Sequence, residues 1–126
     1  MSIEFDCSEI TDNIRAMLTA FDNEIGYWAK SQSNYLQSRM QRNRPWHDRS
    51  HEARRRLHVG YKTVNGVTEL VLSHGVEYGV YLELAHKEQG EEFAPYAIIG
   101  PVVREEAPKV MASYNARVQK IMRTLL

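Results

Sequence analysis

The stretch LHVGYKTVNGVTELVLS, residues 57–73, decides the fold class of this 126-residue chain. Two runs rich in β-branched and aromatic residues, 57–64 and 67–73, flank the dipeptide Asn65-Gly66. Asn-Gly is the strongest short hairpin signal, because both residues accept the positive φ that a tight hairpin turn requires. The stretch therefore predicts an antiparallel β-hairpin, and the other elements are interpreted by their place around it.

The segment before the hairpin is typical of one long helix. Asp6 or Ser8 is the expected N-cap, and Pro45 ends the helix. At 1.5 Å per residue such a helix would span about 50 Å, which is long for so small a chain. We expect either a break at Gly26 or one end that projects beyond the body to meet a neighbour. Its apolar residues recur at spacings of three and four along one stripe: Ile10, Ile14, Met17, Leu18, Phe21, Ile25, Trp28, Tyr35 and Leu36.

Three further elements are predicted after the hairpin. Residues 77–85 predict a short helix, and residues 96–99 predict a third strand that stops at Gly100-Pro101. Pro108 suits the first turn of a closing helix. The apolar residues of that helix lie at helical spacing: Val110, Met111, Tyr114, Val118, Ile121, Met122 and Leu125.

The predicted fold is α+β, in the order α-β-β-α-β-α. A small antiparallel sheet packs against a long N-terminal helix and a C-terminal helix, and residues 1–126 form one domain. Core positions are expected for most of a set of six large apolar side chains: Trp28, Tyr35, Tyr78, Tyr81, Leu82 and Leu84.

Composition places the chain among folded soluble proteins, because 43% of its residues are hydrophobic and 25% are charged. No apolar run approaches the roughly 20 residues of a membrane span. The acidic N-terminus has no signal-peptide pattern, and the single cysteine, Cys7, cannot form an internal disulfide. We therefore expect a protein of a reducing cytoplasm, or of a particle assembled there.

The net charge is zero, but the charges are unevenly distributed. Residues 39–58 contain seven arginines against Asp48 and Glu52, a balance of +5, and the rest of the chain is −5. Acidic residues concentrate in segments 4–24 and 77–92. A bipolar chain of this kind can attract copies of itself.

The basic segment also contains histidines, which raises the question of a metal or catalytic site. His47 and His51 are four residues apart and His58 follows, but the neighbouring arginines disfavour a metal ion and nothing completes a ligand set. A histidine-dependent nuclease would need a nucleophile, a base and an orienting group, which the sequence does not supply. The sequence therefore predicts no metal site, no cofactor and no catalytic site.

Three segments in a fixed order carry a family resemblance. They are Trp46 to Arg54 (WHDRSHEAR), the string SHGVEYGVYLELA at 73–85, and PYAIIGP at 95–101. With the long first helix and the hairpin, this order resembles the tail-completion and head–tail joining (neck) proteins of long-tailed phages over residues 9–125. Two features depart from that pattern: Ser50-His51 stands where Thr-Gly is common, and the loop 87–94 is longer and more acidic. Within the second segment the matching residues are His74, Gly75, Val76, Tyr78, Tyr81, Leu82 and Glu83.

The resemblance implies a structural role and no enzymatic activity. Such a protein would join a DNA-filled head to a tail, as a ring expected to contain six copies. Its partners would be itself, the adaptor or stopper ring, the tail terminator and DNA passing through the lumen, with no membrane. It would be found in the virion neck or tail top, and in the host cytoplasm during assembly.

Charge complementarity suggests which residues would join the copies. The basic segment of one subunit is expected to dock on the acidic segment of the next, so that changing Arg54, Arg55 and Arg56 to Glu would block ring formation. Arg42 and Arg44 are candidates for facing DNA. The alternative function is a small nucleic-acid-binding protein that uses residues 39–58, which salt-sensitive retention on DNA would favour. The full set of interface candidates is Trp46, Arg49, Arg54, Arg55, Arg56, Glu77, Glu83, Glu88, Glu91 and Glu92.

Overall fold

The computed structural model describes residues 1–42, 55–64 and 66–125. The predicted α+β class is confirmed, with two long helices, a two-stranded antiparallel sheet and one short helix. In chain order the elements are α1 (Ser8–Arg42), β1 (His58–Val64), β2 (Val67–Ser73), α2 (Gly79–Leu84) and α3 (Ile99–Leu125).

Helix α1 is continuous over 35 residues, so Gly26 does not break it. It runs antiparallel to α3, because Trp28 contacts Ser113 and Tyr35 contacts Glu106. If the same pairing continues along both helices, the end of α3 lies opposite about residue 16 of α1. About two turns of α1 therefore extend beyond the end of α3. Of the two expectations for this long helix, the structure shows the projecting end.

The predicted hairpin is confirmed. Strands β1 and β2 pair in register from His58 opposite Ser73 to Val64 opposite Val67. Gly66 has a φ of 78°, the left-handed conformation that favours glycine in this turn. Burial alternates along β2, so Leu70 and Leu72 face the interior while Val71 between them faces outward.

One core joins α1, the hairpin and the start of α3. Leu36 and Met40 of α1 meet Leu57 and Val59 at the start of the hairpin, and Gln37 accepts a hydrogen bond of 3.2 Å from the Val59 N–H. Nearer the start of α1, Trp28 packs edge-on against Tyr114 with ring centroids 5.3 Å apart. The core cluster consists of Leu36, Met40, Leu57, Val59, Ile98 and Val102.

The predicted third strand at 96–99 is wrong. Residues 96–98 form neither strand nor helix in the described chain, and Ile99 already begins α3. The N–H groups of Ile98 and Ile99 donate to the carboxylate of Glu83 and not to a neighbouring strand. The prediction that Pro108 lies in the first turn of the closing helix is also wrong. Pro108 lies within α3, and Pro101 occupies the first turn of that helix.

The short helix α2 is confirmed but covers fewer residues than 77–85. Its six residues give fewer than two turns, and only Gly79 is buried. Trp28 is in the core as predicted, whereas Tyr35, Tyr78, Tyr81 and Leu84 are exposed and contradict that expectation. The packed face of α2 is formed by Gly79 and the Glu83 contacts, and not by its aromatic side chains.

Candidate assembly surfaces

Much of the predicted basic surface lies outside the described residues, including Trp46, Arg44, Arg49 and Arg54. Arg42, Arg55 and Arg56 are described and exposed. Arg42 donates to the carbonyl of Ser38 in its own helix, at 3.3 Å. These three arginines are the described part of the basic surface that sequence reasoning assigned to a neighbour or to DNA.

Arg39, which opens the basic segment, is engaged inside the subunit. Its Nε donates to Oε1 of Glu106 at 3.0 Å, and Glu105 receives its second guanidinium contact. Burial alone would lower the pKa of Arg39, but hydrogen bonds and charge from Glu105 and Glu106 raise the pKa and keep the guanidinium protonated. The side chains of Arg39 and Glu106 are only 16% and 3% exposed, so this pair holds α1 to α3 and contributes little positive charge to a partner.

The hydroxyl of Tyr35 completes this contact, donating to the same Glu106 oxygen at 3.1 Å. A buried carboxylate is costly unless it is paired and hydrogen-bonded. Glu106 satisfies both conditions with groups from one face of α1. Sequence reasoning missed Glu106, although the appearance of an acid within an apolar stripe of α3 was a usable signal.

The basic segment and the acidic segment adjoin within one subunit. The Gly75 N–H donates to the carbonyl of Arg56 at 2.9 Å, and Arg56 Nη1 donates to the Gly75 carbonyl at 3.1 Å. Arg56 therefore lies close to the start of the acidic stretch in its own chain. These contacts join the two segments through the backbone of Gly75.

The acidic candidates divide into exposed and engaged residues. Glu77, Glu88 and Glu91 are exposed, and Glu91 accepts a hydrogen bond of 3.4 Å from the Glu88 N–H. Glu92 forms an ion pair with Arg104. Of the five acidic candidates, Glu77, Glu88 and Glu91 are the ones that form no ion pair with another described residue.

Among the described interface candidates, Glu83 accepts several hydrogen bonds, and all the donors belong to its own subunit. Its Oε1 accepts hydrogen bonds of 2.8 Å from the N–H groups of Ile98 and Ile99, and Oε2 accepts one of 3.4 Å from Gly100. His74 Nε2 lies 2.8 Å from the same Oε1. The carboxylate thus satisfies backbone donors at the beginning of α3, where negative charge is favourable.

The environment of Glu83 keeps it ionised. Burial by itself would raise the pKa of Glu83. Hydrogen bonds from His74 and from the N–H groups of Ile99, Ile98 and Gly100 outweigh burial and lower the pKa below its ordinary value. The charged form of Glu83 is therefore the form that the fold stabilises.

Gly79 allows His74 to reach this position. A Cβ added at Gly79 would lie 2.3 Å from the Cβ of His74, closer than packed atoms approach. The string 73–85 thus contains a linked set: Gly79 admits His74, His74 contacts Glu83, and Glu83 holds the start of α3. These positions build the subunit, which the sequence pattern alone did not show.

Exposed apolar side chains were the assembly feature that sequence reasoning underestimated. Ile10, Ile14 and Leu18 of α1 are 62%, 52% and 59% exposed. They continue the stripe that Ile25 and Leu36 bury further along the helix. The helical spacing had identified this stripe, and the length of α1 relative to the chain was the signal that part of it would lack a core.

Among the described residues, no group of three His, Cys, Asp or Glu side chains is placed to hold a metal ion. His47 and His51 lie outside the described ranges, whereas His58 is exposed in β1 and Cys7 is an exposed thiol. No helix in the part of the chain that the structure describes is long and apolar enough to cross a membrane.

Comparison with known proteins adds no relative. No protein-family model, no curated protein and no solved structure matches this chain.

Proposed function

We propose that this protein is a structural component of the neck or tail top of a long-tailed phage particle, where a ring of copies joins the DNA-filled head to the tail. The proposal begins from the resemblance carried by residues 46–54, 73–85 and 95–101. Its mechanism is assembly through complementary surfaces, with no turnover.

The observation that carries the proposal is the exposed apolar stripe at the beginning of α1. Ile10, Ile14 and Leu18 lie on the face that forms the core elsewhere in the same helix. A contiguous apolar face that is exposed in a single subunit is typical of an association surface. This supports a protein whose working form is an assembly.

The internal use of Glu83 and Arg39 refines the proposed contacts between copies. Both residues are engaged within the subunit, so they are poor candidates for ion pairs with a neighbour. Exposed Arg55 and exposed Glu77 remain suitable for such pairs. The apolar stripe then provides the attraction, and the remaining charges select the partner.

The test is electron microscopy of particles made when the gene is deleted from its phage or prophage. We expect separate DNA-filled heads and free tails, which become joined when the purified protein is added. A deletion complemented in trans with the unaltered gene serves as the control.

Two results would contradict the joining role. One is a deletion strain that makes intact virions. The other is a block in DNA replication before any particle forms, which would favour the nucleic-acid-binding alternative; retention of the purified protein on DNA, weakened by salt, would then be the measurement to pursue.

A further inference from the structure

The beginning of α1 forms an arm, defined here as residues 8–18, that presents a core-type face without a core. Its side chains Ile10, Ile14 and Leu18 are spaced four residues apart and are more than half exposed. Spacing of four residues aligns them as one ridge along the helix. The arm therefore carries a ridge suited to a groove.

A matching groove lies between β2 and α3 of the same chain. Leu70 and Leu72 form one wall, and Val110 and Met111 belong to the other. Two cavities of about 410 and 150 Å³ lie along it. The outer edge of the groove, defined by Val103, Ala107 and Met111, has the same four-residue spacing as the ridge of the arm.

Size and shape favour the fit of ridge to groove. Val103 and Met111 are exposed apolar side chains, and the small, exposed Ala107 lies between them in the sequence of this edge. Ridges formed by residues four apart commonly pack into the grooves between such ridges on another helix. An apolar ridge and an apolar groove of equal repeat are thus both open on one subunit.

The arm cannot reach the groove of its own subunit. Trp28 and Leu36 mark the levels of α1 that border the groove. Ile14 lies 14 and 22 residues earlier in one continuous helix, which places it about 20–30 Å away. Only a second copy of the chain can bring this ridge to the groove.

Charge distinguishes this contact from a pairing of two arms. Arg15 is the one basic residue of segment 1–18, whose acidic residues are Glu4, Asp6, Glu9 and Asp12. Residues 107–125 of α3 contain no acidic residue and four basic ones: Lys109, Arg117, Lys120 and Arg123. Glu105 and Glu106, which lie nearer the start of α3, are both paired with Arg39 within the subunit. Two arms side by side would bring like charges together, whereas an arm against α3 brings opposite charges together.

We propose that the arm of one copy packs its ridge of Ile10, Ile14 and Leu18 into the β2–α3 groove of the next copy. The contact joins two different surfaces, so it repeats from copy to copy and closes into a ring when the rotation permits. The inference rests on the proposed function in one respect, because it names the contact that would build the ring.

The first experiment measures self-association of the full chain by sedimentation equilibrium over a range of concentrations. We expect Ile14→Glu to weaken association at least tenfold. Ala16→Glu is the matched control: it adds the same charge to the same exposed arm, about 200° away around the helix, and is expected to weaken association less than twofold. Circular dichroism checks that both variants keep their helix content, as expected for exposed positions.

A disulfide experiment identifies the partner surface. In a Cys7→Ser background, protein with Ile14→Cys is mixed with protein carrying Met111→Cys under mild oxidation. We expect a disulfide-linked pair formed from one molecule of each. Disulfides that link only Ile14→Cys molecules to each other would overturn the arm-to-groove contact, and so would a wild-type chain that stays monomeric or equal weakening by Ala16→Glu.

The two proposals can fail separately. If the cross-link forms but deletion of the gene leaves virions intact, the phage role falls and the contact stands. If deletion separates heads from tails but Ile14→Glu protein still joins them as well as wild type, the phage role stands and the contact falls.

Discussion

The two ends of α1 carry the same apolar stripe in opposite surroundings. From Ile25 onward the stripe packs on α3 and the hairpin, and Leu36 is only 4% exposed. In the arm, the same face of the helix leaves Leu18 59% exposed. Helical periodicity therefore identifies a face that will be covered, but it does not tell whether the cover is the chain itself or another molecule.

The polar contacts of the packed half and of the arm differ in the same way as the apolar ones. In the packed half, Arg39 lies 3.0 Å from the nearly buried Glu106. In the arm, Arg15 approaches Asp12 at 4.0 Å while both side chains are more than 70% exposed. Exposed pairs of this kind contribute about 0–1 kcal/mol, so this pair anchors the arm only weakly to the described part of its own subunit.

The largest expected effect comes from making the same substitution, Leu to Ala, in each half of α1. Leu36→Ala should lower the free energy of unfolding by about 2–5 kcal/mol, because it removes buried methyl groups and leaves a cavity. Leu18→Ala should change it by less than about 0.5 kcal/mol, because its side chain is exposed. Chemical denaturation at concentrations where the chain is monomeric measures both, and equal losses would show that the arm is packed within the subunit.

The comparison extends to the starts of the two long helices. Glu83→Gln should destabilise the protein by about 1–3 kcal/mol at neutral pH, because backbone donors of α3 lose a charged acceptor. Asp6→Asn is the matched control at the start of α1, where Asp6 accepts a hydrogen bond of 2.9 Å from Ser8 in an exposed position. Its effect on stability is expected to be smaller.

The pH dependence of the Glu83 contribution has a definite sign. The folded-state pKa of Glu83 lies below its ordinary value, so the folded protein binds this proton less readily than the unfolded chain. The stabilisation is fully present above the ordinary glutamate pKa and is lost as pH falls through the folded-state pKa. Urea midpoints of wild type and Glu83→Gln should therefore converge on acidification through this window, and a constant gap would contradict the assignment.

The smallest expected effect lies at the boundary between the two halves. A Cβ at Gly26 would meet no atom within 4 Å, and α1 is helical through this residue. Gly26→Ala should therefore stabilise the protein by about 0.5–1 kcal/mol, because alanine loses less backbone entropy in a helix. Thermal unfolding measures the change; a lower midpoint would indicate that α1 bends at Gly26 in solution.

Particular residues show which elements can be predicted from the sequence. The hairpin was predictable because Asn65-Gly66 encodes its own turn, and the stripe of α1 because spacing of three and four is a property of one helix. The strand predicted at 96–99 was wrong because a β-rich run forms a strand only when a neighbouring strand accepts its hydrogen bonds. Here Glu83, 15 residues before Ile98, provides the acceptor instead.

The candidate site was less predictable than the fold. The sequence predicts Glu83 as an interface charge, whereas the structure shows a contact within the subunit. It predicts Tyr78 and Tyr81 in the core, whereas both are exposed. Glu106 was not singled out at all. In each case the deciding fact is which group lies opposite the side chain, and that group is distant in the sequence.

By itself, the sequence determined the α+β class, the hairpin with its turn, the two long helices and the stripe on α1, because each depends on local dihedral preferences or on spacing within one element. Only the tertiary structure decided that Glu83 holds the start of α3, that Arg39 is tied to Glu106 and that the arm lies beyond the core. These outcomes depend on distances between separate elements, which set burial and hydrogen bonding and which no local pattern encodes.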